Sequence, residues 1–513
     1  MPGRYGKVCT CGLRGVTGEM MEAEVALLPG LPSFEIVGTG DSVVRESRNR
    51  IRAAVRVCGF DFPHNRIIAS LAPAWVRKEG SAFDLPIALA LLAAGGAVRR
   101  AQWDVCIFGE LSLTGDVRPV PGGISRALAG REHGVATLIL PWDNYGECAC
   151  IEGMRIIPVR RLADAVDFLN GDRIPDLPDE RPCKCVEQVR AWPDLSSVSG
   201  QAFAKRALIL AAAGWHNLLM LGSPGCGKSS LAAALPGILP ALLPAEVWEV
   251  MRIHSAAGLL IGAPGSVTGR PFRSPHHTST RTAVLGGGNP PRPGEISLAH
   301  RGVLFLDELS GFSQEVLDGL RQPMEDRSIR ITRLAHSLDF PADFLLLGAS
   351  NPCRCGMLYE ARGCRCTDEQ VRTHMNRIGG PLLDRFDLRV PLTSVGVEGL
   401  TASVTPGRAL ESPEARAAVE RCWSIQWARS AAHGEPPLWN GRVPADRLRD
   451  VCELDDAVCR FAAKISDRHL SARGFHRLLR VARTLADLEG EERVASRHVQ
   501  EAFQYRVERR EGS

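Results

Sequence analysis

Gly222, Ser223, Pro224, Gly225, Cys226, Gly227, Lys228 and Ser229 carry the Gly-x4-Gly-Lys-Ser spacing of a phosphate-binding loop. Backbone N–H groups of such a loop, and of the helix it opens, point at phosphate oxygens. The lysine ammonium lies against the β and γ phosphates, and the serine hydroxyl is a ligand for Mg2+. Lysine is otherwise scarce: six occur, at 7, 78, 184, 205, 228 and 464, among 62 basic residues. Lys228 is the one lysine between Arg206 and Ala463, at a place where the broad guanidinium of arginine fits poorly. Cys226 stands at a variable position, tolerable because the loop binds through its backbone.

Further along, Gly302-Val-Leu-Phe-Leu-Asp307-Glu308 is an apolar run closed by two acids. Asp307 suits Mg2+ through its water shell, and Glu308 suits orienting and deprotonating an attacking water. A third apolar run, from Phe344 to Ser350, ends at Asn351, whose amide can position the same water against the γ phosphate. ATP and Mg2+ are the cofactors this set implies.

Cys353, Cys355, Cys364 and Cys366 follow Asn351 at once as two Cys-x-Cys pairs. Four thiolates satisfy tetrahedral Zn2+, and idle free thiols are the alternative. The pairs Cys9/Cys11, Cys148/Cys150 and Cys183/Cys185 show no second half. Two arginine-bearing segments suit nucleic acid. Arg270, Arg273, Arg281 and Arg292 lie between the loop and the acidic pair; Arg327, Arg330 and Arg333 open a β-hairpin running to Phe340. Phosphate contact without base reading is one account of them; solvated hairpin charge is the other.

The positioning elements read from the same strings. Asn217 to Leu221 predicts a buried strand, and Ser229 to Leu235 the helix after it. The 513 residues, 45% hydrophobic and 23% charged, are long enough for about three domains. A net charge of +4 advertises no basic tail, so contact with nucleic acid must come from local clusters. No apolar signal region or membrane-length run appears, which predicts a cytoplasmic protein without membrane contact. Sixteen cysteines then read as free thiols or metal ligands. Short β-rich stretches alternate with helices over residues 1–171, and a Pro-rich charged linker covers 172–193. The nucleotide-binding core spans 194–394. Apolar residues recur at helical spacing in 395–513, as at Leu478, Leu479, Val481, Ala482 and Leu485.

Gly30-Leu-Pro-Ser-Phe-Glu-Ile-Val-Gly38, Lys78-Glu-Gly-Ser-Ala-Phe-Asp-Leu-Pro-Ile-Ala-Leu89, Phe272-Arg-Ser-Pro-His-His-Thr278, Pro293-Gly-Glu-Ile-Ser-Leu-Ala-His300 and Gly380-Pro-Leu-Leu-Asp-Arg385 are long and specific strings. Through them nearly the whole chain resembles the YifB family of magnesium chelatase-like AAA+ proteins. The resemblance implies an α/β fold: a P-loop AAA+ core with an N-terminal Lon-protease-like α+β domain and a C-terminal helical lid. It implies sensor 1 at Asn351 and an arginine finger, inserted into a neighbour's site, at Arg385. It offers Arg473 as a sensor-2 arginine, a helix-start surface charge being the alternative. It also implies a homo-hexameric, ATP-driven helicase that migrates branches in DNA, single-stranded or branched, during recombination or natural transformation.

Lon-type proteases cleave with a Ser-Lys dyad. Matching their serine segment onto Lys78-Glu-Gly-Ser-Ala82 puts Ala82 at the serine, or Ser81 after a one-residue shift, and the lysine position falls on Ser125. No lysine occurs from 79 to 183, so the N-terminal domain is expected to be a non-proteolytic scaffold. The other readings are a chelatase-type ATPase remodelling a protein partner, a Lon-like protease, and a nucleotide-gated scaffold.

Overall fold

The computed structural model describes residues 4–37, 42–73, 78, 80–99, 104–177, 192–262, 269–333, 336–360, 363–394, 411–466 and 470–506. β1 (Arg4–Arg14) and β2 (Thr17–Leu28) pair antiparallel around a turn at Gly15 and Val16. Met21, Ala23, Val25 and Leu27 alternate with less buried residues along β2, which fixes one face of the strand against a core. β3 (Ser33–Val37), β4 (Arg66–Ala72) and β5 (Val105–Ile107) follow. A small hairpin of β6 (Glu110–Leu111) and β7 (Val117–Arg118) precedes β8 (Thr137–Pro141) and β9 (Arg155–Val159). Seven of these strands form one mixed sheet in the order β3-β4-β2-β1-β5-β8-β9. The Asp84–Gly95 helix, apolar nearly all round, is buried against it.

The second sheet carries the strands whose ends were singled out above. β10 (Leu218–Gly222), β11 (Phe272–Arg273), β12 (Val303–Leu306), β15 (Leu345–Ser350) and β16 (Leu388–Leu392) run parallel in the order β11-β12-β15-β10-β16. β10, β12 and β15 are buried at every position, as strands covered on both faces must be. Leu218 and Met220 face one core, and Leu219 and Leu221 the other. The first core also takes in Leu478, Val481, Ala482 and Leu485 of the Ala472–Glu489 helix, so the C-terminal helices share their packing with the sheet. Trp215 stacks on Trp439 with ring centroids 4.5 Å apart, and Trp423 meets both at their edges.

β13 (Ser328–Arg333) and β14 (His336–Pro341) form the expected antiparallel hairpin. Ile329, Ile331, Leu338 and Phe340 of the hairpin pack into the second core, and Val16 of the β1–β2 turn packs there as well. The N-terminal sheet also seats on the Pro244–Ala256 helix. Met251 is buried with Ile124, Cys148 and Ile151, and the Gly122 amide donates to the Ser255 carbonyl over 2.9 Å. Residues 178–191 of the expected linker lie outside the described residues. Trp192, at its end, already packs edge-on against Phe272 at 5.6 Å. No described helix is long and apolar enough to cross a membrane.

Candidate active site

The order of the parallel sheet sets the carboxyl ends of β12, β15 and β10 side by side, where ligands of open α/β sheets bind. Each end carries a residue singled out above. Gly227 has φ +94°, a left-handed conformation that lets the loop enter the Lys228–Ile238 helix. Lys228 Nζ donates to the Gly222 carbonyl at 2.7 Å, the Ser223 carbonyl at 2.9 Å and Asn351 Oδ1 at 3.3 Å. Ser229 Oγ donates to Asp307 Oδ2 at 2.8 Å, so the two expected Mg2+ ligands are already neighbours. Their all-oxygen donor set fits that cation. Cys226 turns its thiol into the core, and burial raises its pKa.

Glu308 has φ +50° and an exposed carboxylate whose Oε2 lies 3.2 Å from His277 Nδ1. His277 comes from the segment read as a DNA-facing stretch. Part of that segment therefore faces Glu308. Two of its arginines are committed elsewhere. Arg270 is buried, ion-paired to Glu246 at 3.0 Å and bonded to the carbonyls of Pro240 and Arg301. Arg273 makes a bidentate pair with Glu295 at 2.6 and 2.7 Å. Arg281 and Arg292 remain exposed. Their loop lies against the hairpin, since a Cβ on Gly286 would come 2.9 Å from Ile331 Cδ1. On the hairpin, Arg330 is exposed but paired with Asp339 at 2.8 and 3.0 Å. Arg327 is turned toward the C-terminal helices and donates to the Arg442 carbonyl, and the Arg333 side chain lies outside what is described.

Arg385 sits at the other edge of the sheet. It precedes β16, whose Leu388 pairs with Leu218 and whose Leu392 pairs with Gly222. The whole length of β10 lies between it and the loop that carries Lys228: its carbonyl accepts from Asn217 Nδ2 just before that strand, and the loop begins at Gly222, the strand's end. Its guanidinium pairs with Glu325 at 2.7 Å, while its buried Nε has no partner. Burial, then the charges of Arg477, Arg473 and Arg321, lower its pKa against the pull of Glu325. Arg473 is exposed at the start of the Ala472–Glu489 helix and thus belongs to the Arg385 cluster. Two residues after Arg385, Asp387 accepts from the Asn217 amide at 3.0 Å and faces Arg477 at 3.4 Å.

After Asn351 the chain folds its cysteines together. Sγ of Cys353 lies 3.4 Å from that of Cys355 and 3.5 Å from that of Cys364; Cys355 and Cys364 are 3.4 Å apart. All four Sγ atoms, Cys366 included, fall within 4.8 Å of one another.

Profiles described as magnesium chelatase subunit ChlI match residues 23–144 and 194–400, and one described as its C-terminal part matches 409–506. The YifB protein of Escherichia coli (strain K12) is 39% identical over 502 residues, which cover 96% of this chain and 95% of that protein. The competence protein ComM of Haemophilus influenzae is 38% identical over 499 residues, 96% of each chain. The chain belongs to the YifB/ComM family of magnesium chelatase-like proteins. The magnesium-chelatase 38 kDa subunit of Cereibacter sphaeroides is 25% identical over 321 residues, 59% of this chain and 87% of that subunit. The mixed α/β architecture, with its parallel sheet and helical C-terminal region, fits a magnesium chelatase-like AAA+ fold, and the family implies use of ATP and Mg2+.

In the N-terminal domain of this family member, the hydroxyls at the dyad positions are engaged elsewhere. Ser81 Oγ bonds to Glu110, Ser125 Oγ donates to the Val16 carbonyl at 2.7 Å, and Ala82 is buried. Lys78 donates to the Pro73 carbonyl. Sequence reasoning missed His277 beside Glu308, and Arg321 in the cluster around Arg385. The His-His pair at 276 and 277 was the available signal for the first; Arg321 offered none.

Proposed function

We propose that this protein is an ATP-driven, ring-forming DNA motor, a branch-migration helicase acting in homologous recombination or natural transformation. Arg385 carries the reading: it stands at the amino end of the strands, opposite the end that holds the loop of its own chain, beside Arg321, Arg473 and Arg477, with an unpartnered buried Nε. A cationic cluster so placed suits a nucleotide held by a neighbouring copy in a closed ring, and the family resemblance makes that ring a homo-hexamer. Within each site the loop amides and Lys228 bind the β and γ phosphates. Ser229 and Asp307 would hold Mg2+, which would supply neutralising charge to the phosphates. Glu308 accepts a proton from water at a carboxylate oxygen, Asn351 orients that water, and the neighbour's copy of Arg385 stabilises charge on the transferring group. Arg473 couples the C-terminal helices to that exchange. Arg281, Arg292 and Arg330, on the loop and hairpin that pack together, are the candidate DNA phosphate contacts. The competence role printed for ComM supports DNA as partner. The N-terminal domain acts as a scaffold without peptidase activity, and the four clustered cysteines are candidate Zn2+ ligands.

A second reading, an ATPase that remodels a protein partner as a chelatase subunit would, is favoured by the 25% identity to the 38 kDa subunit. That match covers 59% of the chain against 96% for ComM, which ranks it second. Branch migration of a synthetic four-way junction decides between them. The wild type is expected to move the junction with ATP, and Lys228→Ala and Arg385→Ala to fail. A wild type that hydrolyses ATP yet neither binds nor moves the junction returns the protein to the remodelling reading.

A further inference from the structure

The cysteine loop touches the nucleotide site directly. Gly356, at φ +79°, lies so close to the phosphate-binding loop that a Cβ there would come 2.8 Å from Pro224 Cδ. The Glu360 carboxylate accepts from Ser223 Oγ within that loop, and from the Ser394 amide at 2.8 Å and the Ser394 hydroxyl just past β16. One short segment thus bridges the phosphate-binding loop and the end of the neighbouring strand. It has little regular structure of its own to hold it.

Its four thiols supply what is missing. A tetrahedral site with Zn–S bonds of about 2.3 Å sets sulfur atoms roughly 3.8 Å apart, close to the 3.4 to 3.5 Å among Cys353, Cys355 and Cys364. The sulfurs also have backbone donors of the kind that tune thiolate ligands: the Cys366 amide donates to Cys364 Sγ at 3.3 Å, and the Met357 and Arg365 amides reach Cys355. Arg354 and Arg365, exposed between the paired cysteines, offset the negative charge of a metal with four thiolates. A metal cross-link also removes the entropy that this stretch would otherwise retain.

We propose that Cys353, Cys355, Cys364 and Cys366 bind one Zn2+ as a tetrathiolate, and that this cross-link clamps Gly356 and Glu360 onto the phosphate-binding loop. Zinc in this protein is a structural fastener of the nucleotide site. The second half rests on the nucleotide-binding reading of Lys228 and its loop; the first half does not.

Full-length protein purified with zinc in the medium is expected to carry one Zn2+ per chain by elemental analysis, and its Co2+ form to show the visible bands of a tetrahedral tetrathiolate. Stripping the metal is expected to speed hydrogen exchange of the Ser223 to Gly227 amides and to weaken binding of a fluorescent ADP analogue about tenfold. Glu360→Gln is expected to keep the zinc and still show the faster exchange and weaker ADP binding. Absence of zinc together with a Co2+ spectrum lacking thiolate bands overturns the site. Zinc with unchanged exchange in both the stripped protein and Glu360→Gln overturns the clamp. A wild type that holds zinc and shows the exchange response, yet binds no ADP, removes the nucleotide reading and leaves the metal site standing.

Discussion

Lys228 Nζ and Asn351 Oδ1 meet at 3.3 Å, joining the phosphate-binding loop to the end of β15 within one chain. The lysine is also bonded to two carbonyls of its own loop, whereas Asn351 reaches the site from a separate strand. The two are expected to separate binding from turnover. Lys228→Ala abolishes both ADP binding and ATP hydrolysis. Asn351→Ala keeps ADP binding within a few-fold and lowers kcat about 100-fold, the loss typical of one positioning group at a transition state. Equal loss of ADP affinity in the two variants would contradict this division.

Arg385 and Glu308 belong to different sites if the ring reading holds. Arg385→Ala and Glu308→Gln are each expected to be inactive alone. Mixed one to one and allowed to reassemble, they should regain ATPase activity at about a quarter of sites, those pairing an intact acid with a neighbour's intact arginine. No recovery in mixed rings whose assembly is verified would place Arg385 within its own chain's chemistry. Arg385→Lys is expected to stay inactive, because a point ammonium lacks the fork of the guanidinium.

Asp387 ties the start of β16 to the C-terminal helices. Burial alone would raise its pKa, but the neighbouring His216 imidazole, its Nδ1 3.8 Å away, and the charge of Arg477 overcome that and hold the carboxyl well below the usual range. Removing one partner of a buried pair strands the other, at a cost of about 3 to 5 kcal/mol. Asp387→Ala should therefore lower the urea midpoint markedly. Arg473→Ala, at an exposed position on the same helix, should leave it unchanged. Similar midpoints for Asp387→Ala and wild type would refute the tie.

The carboxylate of Glu249, on the helix that seats the N-terminal sheet, is lowered to about 2 by the His300 hydrogen bond, burial opposing and Arg301 assisting. A depressed carboxyl stabilises fully above its unfolded value near 4.3 and loses that contribution as pH falls toward its folded value. The stability gap between wild type and Glu249→Gln is expected to be constant from about pH 7 to pH 5 and to shrink below that. Urea midpoints at stepped pH measure it, and a gap unchanged down to about pH 3 would exclude the linkage.

Strand ends were legible because phosphate and Mg2+ chemistry draws on contiguous residues: the loop before Lys228, the acids after Leu306, the amide after Ser350. The hairpin and the C-terminal helices were legible from periodicity. The commitments of single arginines were not, since their partners lie elsewhere in the chain. Arg270 and Arg273 read as free charge until Glu246 and Glu295 fold onto them, and Arg330 until Asp339 pairs across the hairpin. His277 reaches Glu308 only because β11 lies beside β12. The seating of the N-terminal sheet on Met251 was equally hidden, because an apolar helix face looks the same whether a core or another domain covers it.

The turn at Gly15 and Val16 rests on the base of the β13–β14 hairpin, and a Cβ on Gly15 would lie 3.8 Å from the Phe340 ring. In a motor of the kind proposed, that contact works as a mechanical stop. The hairpin cannot travel without exposing Phe340 and Leu338 to water or carrying the seven-stranded sheet along. On that reading a hairpin stroke would be coupled to movement of the seven-stranded sheet through this one contact.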